Sequence, residues 1–234
     1  MELIKRSTTR RIQMSCGINP YAAGSVIIEF GQTKVHVTAT VEETVPLFKK
    51  GFGEGWVTAE YAMLPGSTGT RVKRDRKGIS GRSQEIQRFI GRGLRSVVDL
   101  KLLGERSLLI DCDVLVADGG TRTASLTGGY VAMELAVRNL MKNGLITKSP
   151  LIDQVAAVSI GIDSEGKIIA DLNYLEDSTC CTDMNLVMTK KGKFVEIQGA
   201  AEGMPFGRAE LNALIECGEK AFKQVFACQD EVLK

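Results

Sequence analysis

The clearest alternation of apolar and polar positions runs from Gly24 to Glu42, where two β-branched stretches flank a short polar turn at Gly31 and Gln32. That pattern predicts a β-hairpin. Residues 46–80 hold six glycines and two prolines among scattered charges, so only Trp56 to Leu64 reads as a strand inside a long loop region. From Ser83 onward, Ile86, Phe89, Ile90, Leu94, Val97 and Val98 recur at helical spacing, with Arg88, Arg92 and Arg95 on the other side. An amphipathic helix of about five turns is expected there.

Ser107 to Val116 reads as a buried strand, followed by a helix from Ala124 to about Met141 that Gly144 stops. Two further hairpins are expected, Val155–Ile162 with Lys167–Leu172, and Leu186–Met188 with Phe194–Ile197. A last amphipathic helix begins near Arg208 and uses Leu211, Leu214, Ile215 and Phe222. The order is ββ(loop)αβα then ββββα, which points to mixed α+β layers and away from a doubly wound parallel sheet.

The chain has 234 residues, 44% hydrophobic and 25% charged, a globular composition that names no function. The longest uncharged apolar stretch, Ala156 to Ile162, is far short of the roughly 20 residues a membrane span needs. The charged N-terminus lacks the form of a secretory signal, and a cytoplasmic location is expected. Six cysteines at 16, 112, 180, 181, 217 and 228 show no metal-binding spacing and read as free thiols. The single histidine, His36, alternates with Val35 and Val37 and reads as structural.

Charge changes the picture. The net charge is +2, yet Arg71 to Arg95 holds nine cations against Asp75 and Glu85, leaving the rest of the chain at −5. Concentrating cations on a slightly acidic body suits a phosphate-rich ligand, although a solvated helix face has the same composition. Lys5, Arg6, Arg10 and Arg11 make a second basic patch.

Three segments carry candidate chemistry. Asp118-Gly119-Gly120-Thr121-Arg122-Thr123-Ala124-Ser125 lies between a strand and a helix, where glycines let backbone N–H groups approach an anion and the helix N-terminus adds partial positive charge. Arg122 can add a bidentate grip and Thr121 a hydroxyl donor, but a plain strand-to-helix turn reads the same way. Asp177 and Asp183 lie six apart in Glu176-Asp177-Ser-Thr-Cys-Cys-Thr-Asp183-Met-Asn185. A strand would separate them by roughly 20 Å, and a helix would turn them through about 240°. They can share a magnesium ion only if the chain doubles back, which Ser178 and Thr179 permit; one of them could instead act as general acid, and scattered surface carboxylates are the plain alternative. Arg82, in Gly81-Arg82-Ser-Gln-Glu-Ile-Gln-Arg88, sits just ahead of the amphipathic helix and can face the same anion as Arg122.

In this order and spacing the three segments resemble the ribonuclease PH family of phosphate-dependent 3′ exoribonucleases. Gly24-Ser-Val, Gly31-Gln-Thr-Lys-Val, Gly55-Trp-Val-Thr-Ala-Glu-Tyr, Met63-Leu-Pro, Asp111-Cys-Asp-Val, Gln198-Gly and Ala201-Glu-Gly extend the likeness over nearly the whole chain. The resemblance implies two βαβα-type units in a single domain, 1–234, of pseudo-duplicated halves at about 1–145 and 146–234. It also implies a homo-hexameric ring made as a trimer of dimers.

By residue, it implies that Arg82, Gly120, Thr121 and Arg122 bind inorganic phosphate. Asp177 and Asp183 are implied as the catalytic acids and magnesium ligands, and Arg71 and Arg74 as part of an RNA-binding loop. The implied substrates are transfer RNA precursors with 3′ extensions; a catalytically silent RNA-holding ring subunit is the rival reading. The sequence departs from the family at Gly66, where an arginine is usual after Met-Leu-Pro, and at Ala200, where threonine is usual. Its opening lacks Asp-Gly-Arg, Arg11 stands where proline is common, and the loop from Asp75 to Ile79 is about two residues short.

Overall fold

The computed structural model describes residues 3–74, 78–202 and 205–234. Asp75, Arg76 and Lys77 of the basic window, most of the shortened loop, and Gly203 of the Ala-Glu-Gly block lie outside the described residues.

The first sheet is built from β2 (Ile12–Cys16), β3 (Gly24–Phe30), β4 (Thr33–Glu42), β5 (Trp56–Met63) and β6 (Ser107–Val116), in the order β2-β3-β4-β6-β5. The expected hairpin forms with Phe30 opposite Thr33, and Gly31 supplies the positive φ its turn requires. β5 and β6 run parallel, from Trp56 opposite Ser107 to Met63 opposite Val114. A parallel pair needs a long crossover, and α1 (Gly81–Arg95) and α2 (Leu100–Leu103) lie within it.

The second sheet, in the order β1-β8-β7-β9-β10, combines β1 (Ile4–Arg6), β7 (Val155–Ile162), β8 (Ile168–Ala170), β9 (Thr182–Thr189) and β10 (Phe194–Ala201). β9 and β10 make the third expected hairpin, several residues longer than the apolar runs alone indicate. β1 comes from the far end of the chain and pairs parallel with β8, Ile4 opposite Ile168. It was invisible to periodicity because two of its three residues are charged.

α3 (Thr121–Lys142) is the central helix. It packs on β3, β4 and β6 of the first sheet and on β7 of the second, and Leu126, Val131, Met133, Ala136 and Val137 are all buried. A helix apolar on nearly every side belongs inside a protein. β7 is buried along its whole length, with α3 and the C-terminal α5 (Arg208–Val232) packed on it. One contiguous apolar core therefore joins both sheets. His36 sits within β4 opposite Ile27 and Asp113, and the six cysteines are free thiols. No helix among the described residues is long and apolar enough to cross a membrane.

Candidate active site

β6 ends at Val116 and α3 begins at Thr121, three residues earlier than the apolar pattern indicates. The Thr123 hydroxyl donates to the Gly120 carbonyl at 2.9 Å from inside the helix. Gly119 and Gly120 both adopt positive φ, and no side chain caps the helix. The first turn of α3 therefore offers its N–H groups and positive dipole end at the floor of a cleft.

That floor is fixed from beneath. Thr33 Oγ1 donates to the Gly119 carbonyl at 2.6 Å and accepts from the Asp118 N–H at 2.9 Å. Arg10 donates to the Asp118 carbonyl and holds both carboxylate oxygens of Asp171, at 2.8 and 2.9 Å. Asp171 is 2% exposed and is the one described non-glycine residue at positive φ, a strained conformation that its surroundings must impose.

Thr121 and Arg122 are the first two residues of α3, so both side chains start beside the uncapped end. Tyr61, buried on β5, hydrogen-bonds the Thr121 hydroxyl at 2.8 Å. Burial pushes the Tyr61 phenol upward, against the pull of Thr121, Arg82 and Arg122. Arg82 is the second residue of α1, not a residue ahead of it, because Ser80 caps the helix by accepting from the Ser83 N–H.

The acidic pair is brought together by a different path from the one the sequence suggests. Ser178 and Thr179 do not turn the chain; they complete α4 (Tyr174–Thr179), with both hydroxyls donating back to the Leu175 carbonyl. α4 forms because Asn173 and Glu176 make a reciprocal capping box. The chain reverses afterwards, at Cys180 and Cys181, and β9 brings Asp183 back toward Asp177. Asp177 is an exposed residue, yet its carboxyl faces the cleft. Loss of water there pushes its pKa above the usual carboxylate value, Asp183 adds to this, and Arg82 and Arg122 oppose it. Cys180 donates to the Asp177 carbonyl at 3.2 Å, and burial raises its thiol to about 11, so it stays protonated at neutral pH.

Arg82, Gly120, Thr121, Arg122, Asp177 and Asp183 all line one cleft of about 520 Å³. Residues from both sheets thus converge. Asn185, Thr68 and Glu202 also line it, and no sequence signal distinguished them. The two carboxylates suit a magnesium ion, which takes one or two protein carboxylates and completes its shell with water and phosphate oxygens.

Arg71 and Arg74 do not line the cleft; they are exposed in the loop beyond Thr68. The N-terminal basic patch is mostly committed elsewhere: Lys5 pairs with Asp163 at 3.0 Å, Arg6 with Glu176 at 2.7 Å and Arg10 with Asp171 at 2.8 Å. Within the basic window, Arg92 pairs with Glu196 at 2.6 Å and Arg95 lies 4.4 Å over the Trp56 ring.

The pattern of the 3′ exoribonuclease family, domain 1, matches residues 8–138, and that of its domain 2 matches residues 153–221. Ribonuclease PH of Bdellovibrio bacteriovorus is 53% identical over 224 residues, covering 96% of this chain and 92% of that protein. Rice (Oryza sativa) Rrp46 has a similar structure, with a TM-score of 0.79 at 15% identity and 98% of both chains covered. An Archaeoglobus fulgidus exosome with RNA bound to the active site is also similar, with a TM-score of 0.76 at 19% identity over 96% of this chain and 89% of that one. These two likenesses speak to the fold alone. Because both domains match in order, and 53% of the aligned residues are shared with a ribonuclease PH, the chain belongs to the 3′ exoribonuclease family.

Proposed function

We propose that this protein is a phosphorolytic 3′-to-5′ exoribonuclease, a nucleotidyltransferase that uses inorganic phosphate to remove the last nucleotide of RNA. The reading rests on one observation: Arg82, Arg122 and the uncapped start of α3 share a cleft with Asp177 and Asp183. An anion grip and an acid pair in one cavity are what phosphate attack on a phosphodiester needs.

In the proposed reaction, an oxygen of inorganic phosphate forms a bond to the terminal phosphorus, and the bond from that phosphorus to the 3′ oxygen of the preceding nucleotide breaks. The products are a nucleoside 5′-diphosphate and RNA one nucleotide shorter. Arg82, Arg122, Thr121 and the Gly120 backbone orient the attacking phosphate. Such transfers depend mainly on positioning and charge stabilisation. Where no metal holds it, Asp177, whose pKa is raised, is the one of the pair suited to protonate the departing 3′ oxygen. Magnesium held by Asp177 and Asp183 would offset the negative charge that develops on the transferred phosphoryl group.

Arg71 and Arg74, on their exposed loop, would take the RNA backbone. The family resemblance further suggests transfer RNA precursors as substrates and a hexameric ring of six copies. The test is chromatography of products from a 3′-extended transfer RNA, with and without phosphate. Nucleoside diphosphates released only with phosphate are expected. Monophosphates would mean hydrolysis, and no product would mean an RNA-holding subunit; either overturns the proposal. Arg122→Ala should raise the phosphate requirement sharply, and an unchanged requirement would remove it from the phosphate site.

A further inference from the structure

Arg122 enters the cleft with part of its guanidinium already engaged from behind. Its Nη1 donates to Glu85 Oε1 at 3.1 Å and to Gln198 Oε1 at 3.3 Å. Gln198 Nε2 in turn donates to the same Glu85 oxygen at 3.4 Å, closing a triangle of three side chains. Glu85 comes from α1, Gln198 from β10 and Arg122 from α3, so the triangle fixes one guanidinium against three elements. Phe89, one helical turn beyond Glu85, lies with its ring centre 6.0 Å from the guanidinium carbon.

Neither Glu85 nor Gln198 is among the residues lining the cleft, whereas Arg122 is. Among the described residues, Nε and Nη2 of Arg122 take no hydrogen-bond partner, so those donors are left for an anion. A guanidinium presents its donors in a rigid planar fork, and fixing one corner fixes the direction of the rest. β10 also meets α1 through the Arg92–Glu196 ion pair at 2.6 Å, two residues before Gln198.

We infer that Glu85 and Gln198 are positioning residues that hold the Arg122 guanidinium in its phosphate-facing orientation. The inference rests on the phosphorolytic reading given above. The pair is half-buried, with side chains 20% and 34% exposed, so a stability change alone does not separate positioning from packing, and the readout that does is phosphate affinity.

The experiment is steady-state phosphorolysis of a 3′-extended RNA with inorganic phosphate titrated at saturating RNA. Glu85→Ala is expected to raise KM for phosphate about tenfold, with kcat and KM for RNA within about twofold of wild type. Gln198→Ala should move the same constant by about threefold. Glu85→Gln retains an acceptor oxygen and should recover most of the loss. In the Arg122→Ala background, Glu85→Ala should add nothing, because residues acting through one group are non-additive.

An unaltered KM for phosphate in both Glu85→Ala and Gln198→Ala, or an additive loss in the double variant, overturns the inference. Should Glu85→Ala not fold, Gln198→Ala alone decides through the same constant. A wild-type protein whose turnover ignores phosphate would defeat the phosphorolytic reading and this inference with it. A phosphate-dependent wild type beside unaffected variants would defeat the inference alone.

Discussion

Gly119 and Gly120 are neighbours with different steric surroundings, and alanine separates them. Both lie at positive φ, +74° and +64°, so alanine at either site carries a left-handed penalty of roughly 1 kcal/mol. A Cβ at Gly120 would meet Thr123 Oγ1 at 3.2 Å and an Arg10 guanidinium nitrogen at 3.3 Å, both side-chain atoms that can yield by tenths of an ångström. At Gly119 it would fall 2.4 Å from the Leu172 carbonyl oxygen and 2.6 Å from the Asn173 carbonyl carbon. These are backbone atoms, and Asn173 caps the helix that carries Asp177. Relief can come only by moving the loop of residues 118–121, the floor of the cleft, away from the segment that opens α4 and carries Asp177.

Overpacking of this kind adds about 1–3 kcal/mol to the dihedral penalty, giving ~2–4 kcal/mol for Gly119→Ala against ~1 kcal/mol for Gly120→Ala. For a chain of this size those costs translate to Tm losses of roughly 5–15 °C and roughly 2–4 °C. Thermal unfolding followed by circular dichroism measures both. Phosphorolysis assayed below both transitions should show Gly119→Ala slowed about a hundredfold, the scale of a 1 Å misplacement of reacting groups. Equal Tm losses for the two variants, or a Gly119→Ala enzyme with wild-type turnover, would refute the steric argument.

Other variants test the walls separately. Asp177→Asn should lower turnover by about a hundredfold or more with RNA binding intact, as expected for one electrostatic group at a reacting centre. Its raised pKa also sets a sign for stability: the folded state keeps the proton longer than the unfolded chain, so wild type loses stability relative to Asp177→Asn as pH rises through and beyond the ordinary aspartate range, without added divalent cation. Melting curves of the two proteins at pH 3 and pH 7 check this, and a gap that closes toward neutral pH contradicts it. Tyr61→Phe removes the partner of the Thr121 hydroxyl and should raise KM for phosphate by about threefold to tenfold with little change in KM for RNA. Gly66→Arg should tighten RNA binding by several-fold and steepen its salt dependence, since a Cβ there meets nothing within 4 Å and Thr68 of the cleft follows two residues later. Filter binding at two salt concentrations measures both effects, and an unchanged salt slope would count against a cation acting there.

The elements that sequence periodicity located are those whose burial is set by their own residues. β4 alternates buried and half-buried positions through Ala39, and α1 buries Ile86, Phe89, Ile90 and Leu94 on one face. β1 and α4 escaped because what stabilises them is remote or polar. β1 exists through its pairing with β8, more than 160 residues away, and α4 through a capping box with no buried side chain. The same division holds in the site. Thr121, Arg122 and Arg82 were legible beside helix starts, whereas the reversal that brings Asp183 toward Asp177 depends on Cys180 adopting extended backbone after a helix that periodicity does not reveal.

Counting charges along the chain treats every lysine and arginine as available to a ligand, and here that assumption fails in an informative way. A buried carboxylate is tolerated only when its oxygens are matched by donors. Asp171 meets that condition through Arg10, whose guanidinium and backbone N–H both reach it. The remaining donors of Arg10 turn to the carbonyls of Asp118 and Gly119. A cation that sequence counting placed in a basic arm is therefore spent one layer below the cleft, where it ties Asp171, the strained residue that follows β8, to the loop that opens α3. Arg82 and Arg122 can then face an anion because Arg10, Asp171 and Thr33 fix the ground beneath them. The anion-facing side of the cleft is made by two guanidinium groups and a helix end held in place, rather than by the number of basic residues in the surrounding sequence.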